Sequence, residues 1–536
     1  MSDDTRKTYR FANGFVPPTK LWRHQAVGVA TLIKNKHYGL FDEPGLGKTL
    51  QALYAMSACM LQADDTDGVL FVTRAQHVGP LKLILDEHVA YLDVQYLQGS
   101  NRVLDPSCQL WVVSYEVLRR MQKDAPRIKN PLGYGSIQIN SDVEQIIHLM
   151  KSQRIAIICD EVHAIKNPTA RTTKVVTALG RMAVRRIGMT GTPAGERPWD
   201  VWAPSLFIDN GKTFGLSYKS FLGEYAVCRM YNGAARPVRG KNLASLHAKL
   251  KTISLRRLKD ECEGLPPKMP PRYLSALLPE KQYAAVYGFE RQLVKLLLGY
   301  VAQHGLDARI SVGMKNAGNP AAVNISALMH TLSRAAVDPA LVTATQPSWG
   351  VPAKVQVILD ALEEERQEAS LLVFAWHRDV AEAVTNHLAA AGITVRVAHG
   401  DISISDRNDI VADFQAGKFR VLVATTGCMR EAVTLHRAQR VIFVERDYSL
   451  LNWTQAQDRV HRYGQKGTVV IDIVQANVGL DTHVDGVLRV KEHDSIAVTD
   501  GTNLDEGEVT ARSLLKSIGC RHAKLMIENG YSPDSI

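Results

Sequence analysis

The sequence predicts an α/β protein built from two doubly wound parallel-sheet lobes. Two apolar segments in the first half of the chain carry most of this prediction. Tyr38–Phe41 leads into a glycine-rich turn and a helical pattern, and Ile155–Cys159 leads into two carboxylates. Buried parallel strands are almost continuously apolar, and functional groups lie at their carboxyl ends. By the same argument, Val441–Val444 predicts a strand of the second lobe.

Size and composition are those of a globular protein with several domains. The chain has 536 residues, of which 46% are apolar and 22% are charged. No apolar run reaches the length of a membrane span, and Met1–Thr19 lacks the apolar core of a signal peptide. The seven cysteines include no CxxC pair, which argues against a zinc site or a disulfide framework and favours a reducing intracellular compartment. The net charge of +10 favours a polyanionic partner.

The segment Phe41–Leu50, FDEPGLGKTL, has the pattern of a phosphate-binding P-loop. A strand, a glycine-rich turn and a helix follow one another here, which is the order that such a loop requires. Lys48 would reach the β- and γ-phosphates, and Thr49 would ligate Mg²⁺. Asp42 stands where the GxxxxGK[ST] pattern has its first glycine, so the alternative is a glycine-bearing turn that caps a buried helix.

Two carboxylates provide the second half of the predicted ATP site. Asp160 and Glu161 follow the apolar strand in RIAIICDEVH, about a hundred residues after the GKT sequence. We expect Asp160 to hold Mg²⁺ through water and Glu161 to orient and deprotonate the attacking water. The alternative is that the two acidic residues merely begin a loop. Gly188–Pro193, GMTGTP, predicts another strand end rich in small hydroxyl residues.

A pair of arginines lies near the end of the second lobe. Gln455–Arg462 has helical spacing, so Arg459 and Arg462 are predicted to project from one helical face. Arginines from a second lobe can complete a γ-phosphate site when the two lobes close, which couples hydrolysis to motion. The alternative is a solvated or salt-bridged helix surface.

The order of the motifs resembles that of the Swi/Snf-type ATPases of helicase superfamily 2, from about Leu21 to about Val474. The matching segments are LWRHQAVGV, FDEPGLGKT, VVSYEVL, DEVHAIKN, GMTGTP, LRRLKDECEGLPPK, LLVFAWHRDV, AHGDISISDRNDIVADFQ and QAQDRVHRYGQ. The strongest likeness is to the compact annealing-helicase branch and its phage and bacterial relatives. Two stretches depart from the family pattern. YSL replaces WNP, with Glu445 in place of the preceding Asp, and CMREAVTL at Cys428–Leu435 replaces GGLGINL.

The resemblance implies two tandem RecA-like lobes with helical protrusions, and ATP and Mg²⁺ as cofactors. The residues expected to bind ATP are Gln25, Asp42, Glu43, Pro44, Gly45, Leu46, Gly47, Lys48 and Thr49. Those expected to act in catalysis are Lys48, Asp160, Glu161, Arg459 and Arg462, with Thr49 and Asp160 as the magnesium ligands.

Nucleic-acid contacts are predicted at the carboxyl ends of strands, where open α/β sheets bind their ligands. A motor on a duplex must hold the phosphate backbone from both lobes, through hydroxyls, backbone N–H groups and cations. The candidates in the first lobe are Thr73, Arg74, Ser114 and Tyr115, and those in the second are His399, Gly400, Arg407, Thr425 and Thr426. The alternative for the hydroxyl residues is that they cap the helices that follow.

The predicted organisation has five parts. They are an N-terminal tail (1–19), the first lobe (20–265), a hinge and helical protrusion (266–353), the second lobe (354–492) and a C-terminal appendix (493–536). Proline pairs at Pro266–Pro267 and Pro270–Pro271 mark the hinge. Tyr283–Gln303 and Val323–Ala336 have helical spacing, and the resemblance implies a second helical protrusion at Phe214–Leu258.

These observations predict an ATP-dependent translocase on double-stranded DNA, including forked or branched DNA, that works as a monomer and has no membrane partner. Reannealing, fork reversal, branch migration and protein displacement are all compatible with a chain that is nearly all motor. The alternatives are an ATP-gated scaffold without productive turnover and an RNA helicase. The expected location is the cytoplasm of a prokaryotic or phage-infected cell, or the nucleus if the source is eukaryotic.

Overall fold

The computed structural model describes residues 6–501 except 12–13, 63–64, 100–101, 123–125, 134, 232–233, 263–265, 305–319, 344–349, 366–368, 429–434 and 463–464. The C-terminal appendix beyond residue 501, the Gly313–Pro320 stretch except its last residue, and most of the CMREAVTL segment therefore lie outside the described residues. The chain forms two compact units, which divide at Leu265 and Pro266, and the described residues from His493 onward belong to the first unit.

The first unit is built on a seven-stranded sheet in the order β11-β1-β8-β7-β2-β4-β3, and every pairing in it is parallel. Its strands are β1 (His37–Leu40), β2 (Gly68–Thr73), β3 (Val94–Leu97), β4 (Leu110–Ser114), β7 (Ile155–Cys159), β8 (Arg185–Met189) and β11 (Ser254–Leu255). Alternate residues of the central strands enter two separate apolar clusters. Leu70 and Val72 pack on one face of the sheet, and Val69 and Phe71 pack on the other. The sheet is thus covered on both faces, as a doubly wound fold requires.

Nine labelled α-helices surround this sheet among the described residues. They are α1 (Arg23–Lys34), α2 (Lys48–Met60), α3 (Val78–His88), α4 (Tyr115–Leu118), α5 (Ser141–Ser152), α6 (Arg171–Met182), α7 (Trp202–Asp209), α8 (Tyr218–Tyr225) and α9 (Leu243–Thr252). Two antiparallel hairpins complete the unit. One pairs β5 (Arg127–Lys129) with β6 (Ser136–Gln138), and the other pairs β9 (Ala226–Tyr231) with β10 (Ala234–Gly240). The second hairpin corrects the expectation of a purely helical protrusion at Phe214–Leu258.

The second unit is built on a six-stranded parallel sheet in the order β12-β17-β16-β13-β15-β14. Its strands are β12 (Arg272–Ala276), β13 (Leu371–Ala375), β14 (Val395–Ala398), β15 (Val421–Thr425), β16 (Arg440–Phe443) and β17 (Val470–Ala476). Leu372 and Phe374 pack in one apolar cluster, and Leu371 and Val373 pack in another, so this sheet is also covered on both faces. Two parallel-sheet α/β lobes were predicted, and this prediction is confirmed.

The helices of the second unit include the two predicted between the lobes. They are α10 (Glu280–His304), α11 (Pro320–Val337), α12 (Ala353–Glu364), α13 (Arg378–Ala390), α14 (Ile404–Gln415), α15 (Leu450–Gln457) and α16 (Gly479–Thr499), whose last residues belong to the first unit. Side chains of α10 and α11 share one apolar cluster with the sheet. Among the helices of the described ranges, none combines the length and the apolar content that crossing a membrane would require.

A buried carboxylate joins three strands of the second sheet. Asp472 on β17 has no exposed surface, and it accepts hydrogen bonds from Arg440 Nε (2.7 Å) on β16 and Arg272 Nε (2.7 Å) on β12. Such a buried ion pair contributes little over an apolar replacement, but removing one partner leaves an uncompensated charge.

We expect Asp472→Ala to destabilise the protein by about 3 kcal/mol, because Arg440 stays buried and loses its nearest carboxylate, keeping the Ala361 carbonyl and the more distant Glu364 and Glu365. Urea denaturation followed by circular dichroism measures this change. The matched control is Asp413→Ala, which removes surface ion pairs with Arg396 and Lys418 and should leave the midpoint nearly unchanged. An unchanged midpoint for Asp472→Ala would show that the charge is accommodated in another way.

Candidate ATP and nucleic-acid sites

The P-loop connects β1 to α2 in the first unit. Gly45 (φ 93°) and Gly47 (φ 78°) both adopt left-handed conformations, which residues with a Cβ rarely tolerate. A Cβ added to Gly47 would come within 2.5 Å of Gln25 Nε2, so the loop and the predicted adenine-side glutamine are in close contact. Lys48 and Thr49 open α2, whose free N–H groups favour an anion. The structure thus brings together the main residues of the predicted nucleotide site.

The side chain of Lys48 lies over its own loop. Its Nζ donates to the carbonyl oxygens of Asp42 (2.7 Å) and Glu43 (3.1 Å). Burial lowers the pKa of Lys48, and the nearby carboxylates of Glu161, Asp42 and Asp160 oppose that shift. A cation, a glycine loop and a helix N-terminus together fit the phosphates of a nucleotide.

Two arginines that the sequence analysis did not assign hold this loop. Asp42 has no exposed surface, and its carboxylate pairs with Arg257, whose Nε donates to Oδ1 at 2.9 Å. Gln51 completes the cluster by accepting from Arg257 Nη2 (2.7 Å). Arg256 Nη1 donates to the carbonyls of Phe41 (2.8 Å) and Gly191 (3.0 Å). The side chain of Asp42 therefore faces its partners in the protein. In the sequence, the only sign that these two residues hold the loop was their position as an adjacent arginine pair in LRRLKDE.

The two predicted catalytic carboxylates follow β7. Asp160 Oδ2 accepts from Thr73 Oγ1 (3.0 Å), and the Asp160 carbonyl accepts from Tyr115 OH (2.8 Å). Glu161 has a left-handed backbone (φ 46°), which is strained for a residue with a side chain and is typical of functional sites. Burial opposes the ionisation of Glu161, but the hydrogen bond from His163 and the nearby cation of Lys48 outweigh this effect and lower its pKa. Glu161 is therefore ionised at neutral pH, as a general base must be.

A chain of hydrogen bonds leads from Glu161 to the edge of the sheet. Arg74 Nη2 and His163 Nε2 are 3.2 Å apart. Because a guanidinium only donates, Nε2 accepts and the ring proton lies on Nδ1. Nδ1 faces Thr190 Oγ1 (2.9 Å) and Glu161 Oε2 (3.2 Å), and Thr190 Oγ1 itself donates to Glu161 Oε2 (3.3 Å). His163 and Thr190 belong to the DEVH and GMTGTP motifs, so two motifs meet here with the strand-end residue Arg74.

The other nucleic-acid candidates of the first unit have partners within the protein. Thr73 is buried against Asp160, and Ser114 caps α4 by accepting from Val117 N (3.2 Å). Tyr115 is also buried, and burial raises the pKa of its hydroxyl well above the usual value. All three lie at the carboxyl ends of strands as predicted, while Arg74, the fourth candidate, is only half-buried.

Four of the five candidates of the second unit, all except Arg407, line a cavity of about 270 Å³ at the carboxyl ends of β13, β14 and β15. It is lined by Trp376, Arg378, His399, Gly400, Asp401, Thr425, Thr426, Gly427, Asp447 and Asn452. Within the described residues, His399 Nδ1 and Thr426 Oγ1 are buried and have no hydrogen-bond partner. Buried polar atoms without a protein partner are suited to hydrogen-bond a bound group. Arg407 lies on α14 and is not part of this lining.

A hub beside this cavity forms around Glu445, the residue that departs from the family's Asp. Glu445 Oε1 accepts from Ser333 Oγ (2.6 Å) and contacts His377 Nδ1 (2.6 Å), and Oε2 accepts from the backbone N–H groups of Trp376 and His377. Burial opposes ionisation of Glu445, but these hydrogen bonds lower its pKa. His377 Nε2 contacts His330 Nδ1 (2.9 Å) of α11. The hub thus joins α11 to the strand ends.

The helical prediction for the arginine pair is wrong. α15 ends at Gln457, so Arg459 and Arg462 lie beyond it in turns and do not share a helical face. The carbonyl of Arg459 accepts from Leu435 N (2.9 Å), and Arg462 Nε donates to the carbonyl of Asp458 (2.8 Å). Their predicted role in catalysis stays a prediction.

Comparison with known proteins identifies the family. Residues 24–304, more than half of the chain, match the SNF2-related domain, and residues 353–464 match the helicase conserved C-terminal domain. The chain belongs to the SNF2-related family. It is a helicase-like ATPase of the Swi2/Snf2 type, as its motifs predicted.

Curated relatives of this SNF2-related protein include the human DNA annealing helicase and endonuclease ZRANB3, which is 26% identical over 88% of the chain and 40% of its own length. The Zorya protein ZorD of Escherichia coli O139:H28 is 26% identical over 61% of the chain and 29% of its own length. The Drosophila melanogaster SWI/SNF-related matrix-associated actin-dependent regulator of chromatin subfamily A-like protein 1 is 24% identical over 88% of the chain and 55% of its length. The chain spans about 40% of the annealing helicase it matches.

Two solved structures cover most of the SNF2-related chain. The Sulfolobus solfataricus SWI2/SNF2 ATPase core in complex with dsDNA is 20% identical, with a TM-score of 0.39, over 90% of this chain and 95% of that one. The Pyrococcus furiosus Hef helicase domain is 15% identical, with a TM-score of 0.48, over 85% of this chain and 97% of that one.

We expect Glu161→Gln to bind ATP but to lose turnover by about 10²- to 10⁴-fold, because the attacking water loses its base. Lys48→Ala should also lose turnover, because the variant lacks the ammonium group that would contact the β- and γ-phosphates of ATP. Phosphate release and fluorescent-nucleotide binding measure the two effects. The control is Glu87→Gln, an exposed carboxylate on α3. Unchanged hydrolysis by Glu161→Gln would assign the base to another residue.

We expect Arg257→Ala to lower the affinity for ATP at least about tenfold, because Asp42 would be left buried without its cation and the loop would lose its brace. Arg257→Lys should recover part of the loss, since a lysine supplies the charge without the two-pronged geometry. Isothermal titration with a non-hydrolysable nucleotide measures this, with the exposed Lys251→Ala as the control. Unchanged affinity would show that Asp42 is neutral or otherwise compensated.

Proposed function

We propose that this SNF2-related protein is a DNA-dependent ATPase that translocates along double-stranded DNA. The observation that carries the proposal is the hydrogen-bonded chain from Glu161 through His163 to Arg74. It links the general base to a cation at the sheet edge where nucleic acid is expected to bind. Such a link would let hydrolysis respond to nucleic acid.

The link works through the geometry of one imidazole. As long as Arg74 donates to Nε2, the proton of His163 stays on Nδ1 and faces Thr190 and Glu161. A DNA phosphate that bound Arg74 would compete for the same guanidinium, because phosphate is the stronger acceptor. The hydrogen bonds that hold Glu161 would then rearrange. DNA binding would thereby change the orientation of the base that activates water.

The chain's own residues divide the chemistry among them. Lys48 and the N-terminus of α2 would bind the phosphates, Thr49 and Asp160 would hold Mg²⁺, and Glu161 would deprotonate the attacking water. The metal, when bound, neutralises charge that develops on the transferred phosphoryl group. Arg459 and Arg462 are proposed as the arginines that the second lobe contributes to hydrolysis.

The second lobe would hold the same backbone from its own strand ends. His399 Nδ1 and Thr426 Oγ1 are buried polar atoms without a protein partner among the described residues, and both line the cavity beside Gly400 and Thr425. Hydrogen-bonding groups of this kind contact phosphates without regard to sequence. Arg407 on α14 is proposed as a further backbone contact.

The proposed substrate class, DNA, rests on the names of the relatives and on the net charge of the chain. ZRANB3 is named as a DNA annealing helicase, which favours DNA remodelling over RNA unwinding. The net charge of +10 suits a polyanion. We propose reannealing, fork reversal, branch migration or protein displacement as the outcome of translocation. The proposed motor is a monomer. It would act where the DNA lies, in a prokaryotic cytoplasm or in a nucleus. An ATP-gated scaffold would need a damaged hydrolytic site, whereas Lys48, Thr49, Asp160 and Glu161 are all in place.

We expect Arg74→Ala to lose the stimulation of ATPase by duplex DNA about tenfold or more, because the link between phosphate and His163 is removed. Activity without DNA should change less, since Lys48, Asp160 and Glu161 are retained. Phosphate release with no nucleic acid, single-stranded DNA, duplex DNA and duplex RNA measures the effect and the substrate class. Translocation is tested by displacement of a third strand from a triplex.

The control for Arg74→Ala is Lys129→Ala, an exposed cation of the same unit on β5. If Arg74→Ala responds to duplex DNA as the wild type does, the link does not couple the two sites. If the wild type hydrolyses no ATP with any nucleic acid, the scaffold alternative holds. Stronger stimulation by RNA than by DNA would favour the RNA helicase alternative.

A further inference from the structure

The described residues 493–501, at the start of the predicted C-terminal appendix, belong to the first unit. They include the end of α16 at Thr499. Val498 has no exposed surface and lies in the same apolar cluster as Leu246 and Leu250 of α9. The helicase C-terminal match ends at residue 464, so the stretch lies beyond the matched family segments. Its contacts within the first unit indicate what it contributes there.

Two contacts fix the place where α16 ends. His247 Nδ1 is 3.0 Å from the carbonyl oxygen of Val498, and because a carbonyl only accepts, the ring nitrogen donates. Gly501 has a left-handed φ of 78°, as a glycine just after a helix commonly does. A Cβ added to Gly501 would come within 2.8 Å of His247 Cδ2, so its backbone lies against this ring. Asp500, between these two contacts, is thereby held in position.

Asp500 forms an ion pair with Arg256, the residue that follows β11. Arg256 Nε donates to Asp500 Oδ1 at 2.8 Å, and the two side chains are 19% and 16% exposed. A pair that is mostly buried is screened by salt much less than an exposed one. The same guanidinium donates from Nη1 to the carbonyl oxygens of Phe41 (2.8 Å) and Gly191 (3.0 Å). Because the guanidinium is planar, contacts at Nε and Nη1 together fix its orientation.

The two carbonyl groups belong to two loops of the predicted ATP site. Phe41 begins the FDEPGLGKT segment, and Gly191 lies in GMTGTP. The loops touch each other, since a Cβ added to Gly191 would come within 2.4 Å of Pro44 Cγ. Thr190, next to Gly191, donates to Glu161 Oε2 (3.3 Å). One arginine therefore sets the spacing between the phosphate loop and the loop that supports the predicted base.

The charge of this arginine has to be controlled because Lys48 is close by. Burial lowers the pKa of Lys48, and the like charge of Arg256 acts in the same direction. The carboxylate of Asp500 partly neutralises the guanidinium and so reduces this repulsion. Without Asp500, the phosphates of a nucleotide would attract the guanidinium away from the two carbonyls, because a charged acceptor forms the stronger hydrogen bond.

We propose that Asp500 is a positioning residue of the ATP site, which holds the Arg256 guanidinium on the carbonyls of Phe41 and Gly191 and so maintains the spacing between their loops. Asp500 acts through Arg256 and contacts no reacting group itself. The inference rests on the proposed hydrolysis of ATP at this site and adds a residue that lies outside the motifs. The competing role is that the ion pair merely anchors the end of α16.

Steady-state ATPase kinetics with duplex DNA in excess test the proposal. Asp500→Asn keeps the shape of the side chain but removes its charge. It should lower kcat about tenfold, because small displacements between reacting groups slow the chemical step, and it should change the KM for ATP less than about threefold, since Lys48 is retained. Asp500→Glu should have an intermediate kcat, because it restores the charge on a longer side chain.

A double-mutant cycle shows whether Asp500 acts through Arg256. Arg256→Ala should lower kcat at least as far as Asp500→Asn does, and adding Asp500→Asn to it should have no further effect. The matched control is Glu224→Gln, which removes the charge of an exposed ion pair with Lys249 in the same unit. Its kcat should equal that of the wild type.

Thermal melting identifies the temperature range in which every variant is folded, and the rates are compared within it. A kcat of Asp500→Asn within twofold of the wild type overturns the inference and leaves only the anchoring role. An equal loss in the wild-type and Arg256→Ala backgrounds also overturns it. If Asp500→Asn does not fold, a wild-type kcat in Asp500→Glu overturns it. A wild type that hydrolyses no ATP with any nucleic acid overturns the proposed function, and this inference with it.

Discussion

The buried ion pair between Asp42 and Arg257 is the constraint on which the first half of the ATP site depends. An ionised carboxylate without exposed surface is tolerated only where cations and hydrogen-bond donors surround it. Arg257 follows β11, the strand that pairs with β1, so its guanidinium reaches Asp42 only once this edge of the sheet has formed. The conformation of the P-loop is therefore a property of the assembled sheet. In the usual P-loop pattern a glycine stands at position 42, and here a charged side chain with a dedicated partner replaces it.

At the same edge of the sheet, the polar side chains that follow the strands have different structural roles. Thr73 and Tyr115 hold Asp160, Ser114 caps a helix, and Thr190 holds Glu161. Few polar groups are then left to face a ligand on this edge. In the second unit the pattern is different, because His399 and Thr426 keep buried polar atoms without protein partners in the described ranges. The polar residues at the strand ends of the first unit thus support other groups of the protein. In the second unit, His399 and Thr426 keep polar atoms that a ligand could bind.

Two departures from the sequence-based expectations have identifiable physical causes. The helical spacing of Gln455–Arg462 continues past the true helix end, because the backbone N–H groups of Arg459 and Val460 bond to carbonyls three residues back, at Ala456 and Gln457, and the regular α-helical ladder stops there. The protrusion expected to be helical contains the β9–β10 hairpin. Its alternation of arginines with small and apolar residues has the period of a strand, which the family resemblance did not reveal.

The sequence by itself determined the fold class, the phosphate loop, the two carboxylates and the strand ends that carry polar groups. These features depend on local hydrophobic period and on motifs within a few residues, which are visible in one dimension. The tertiary structure alone decided which groups meet. Asp42 pairs with Arg257 and Arg74 meets His163 across long stretches of chain, and Asp472 ties three strands together. Such partners are selected by burial, because a charged group removed from water must find its complement wherever the fold brings one within reach.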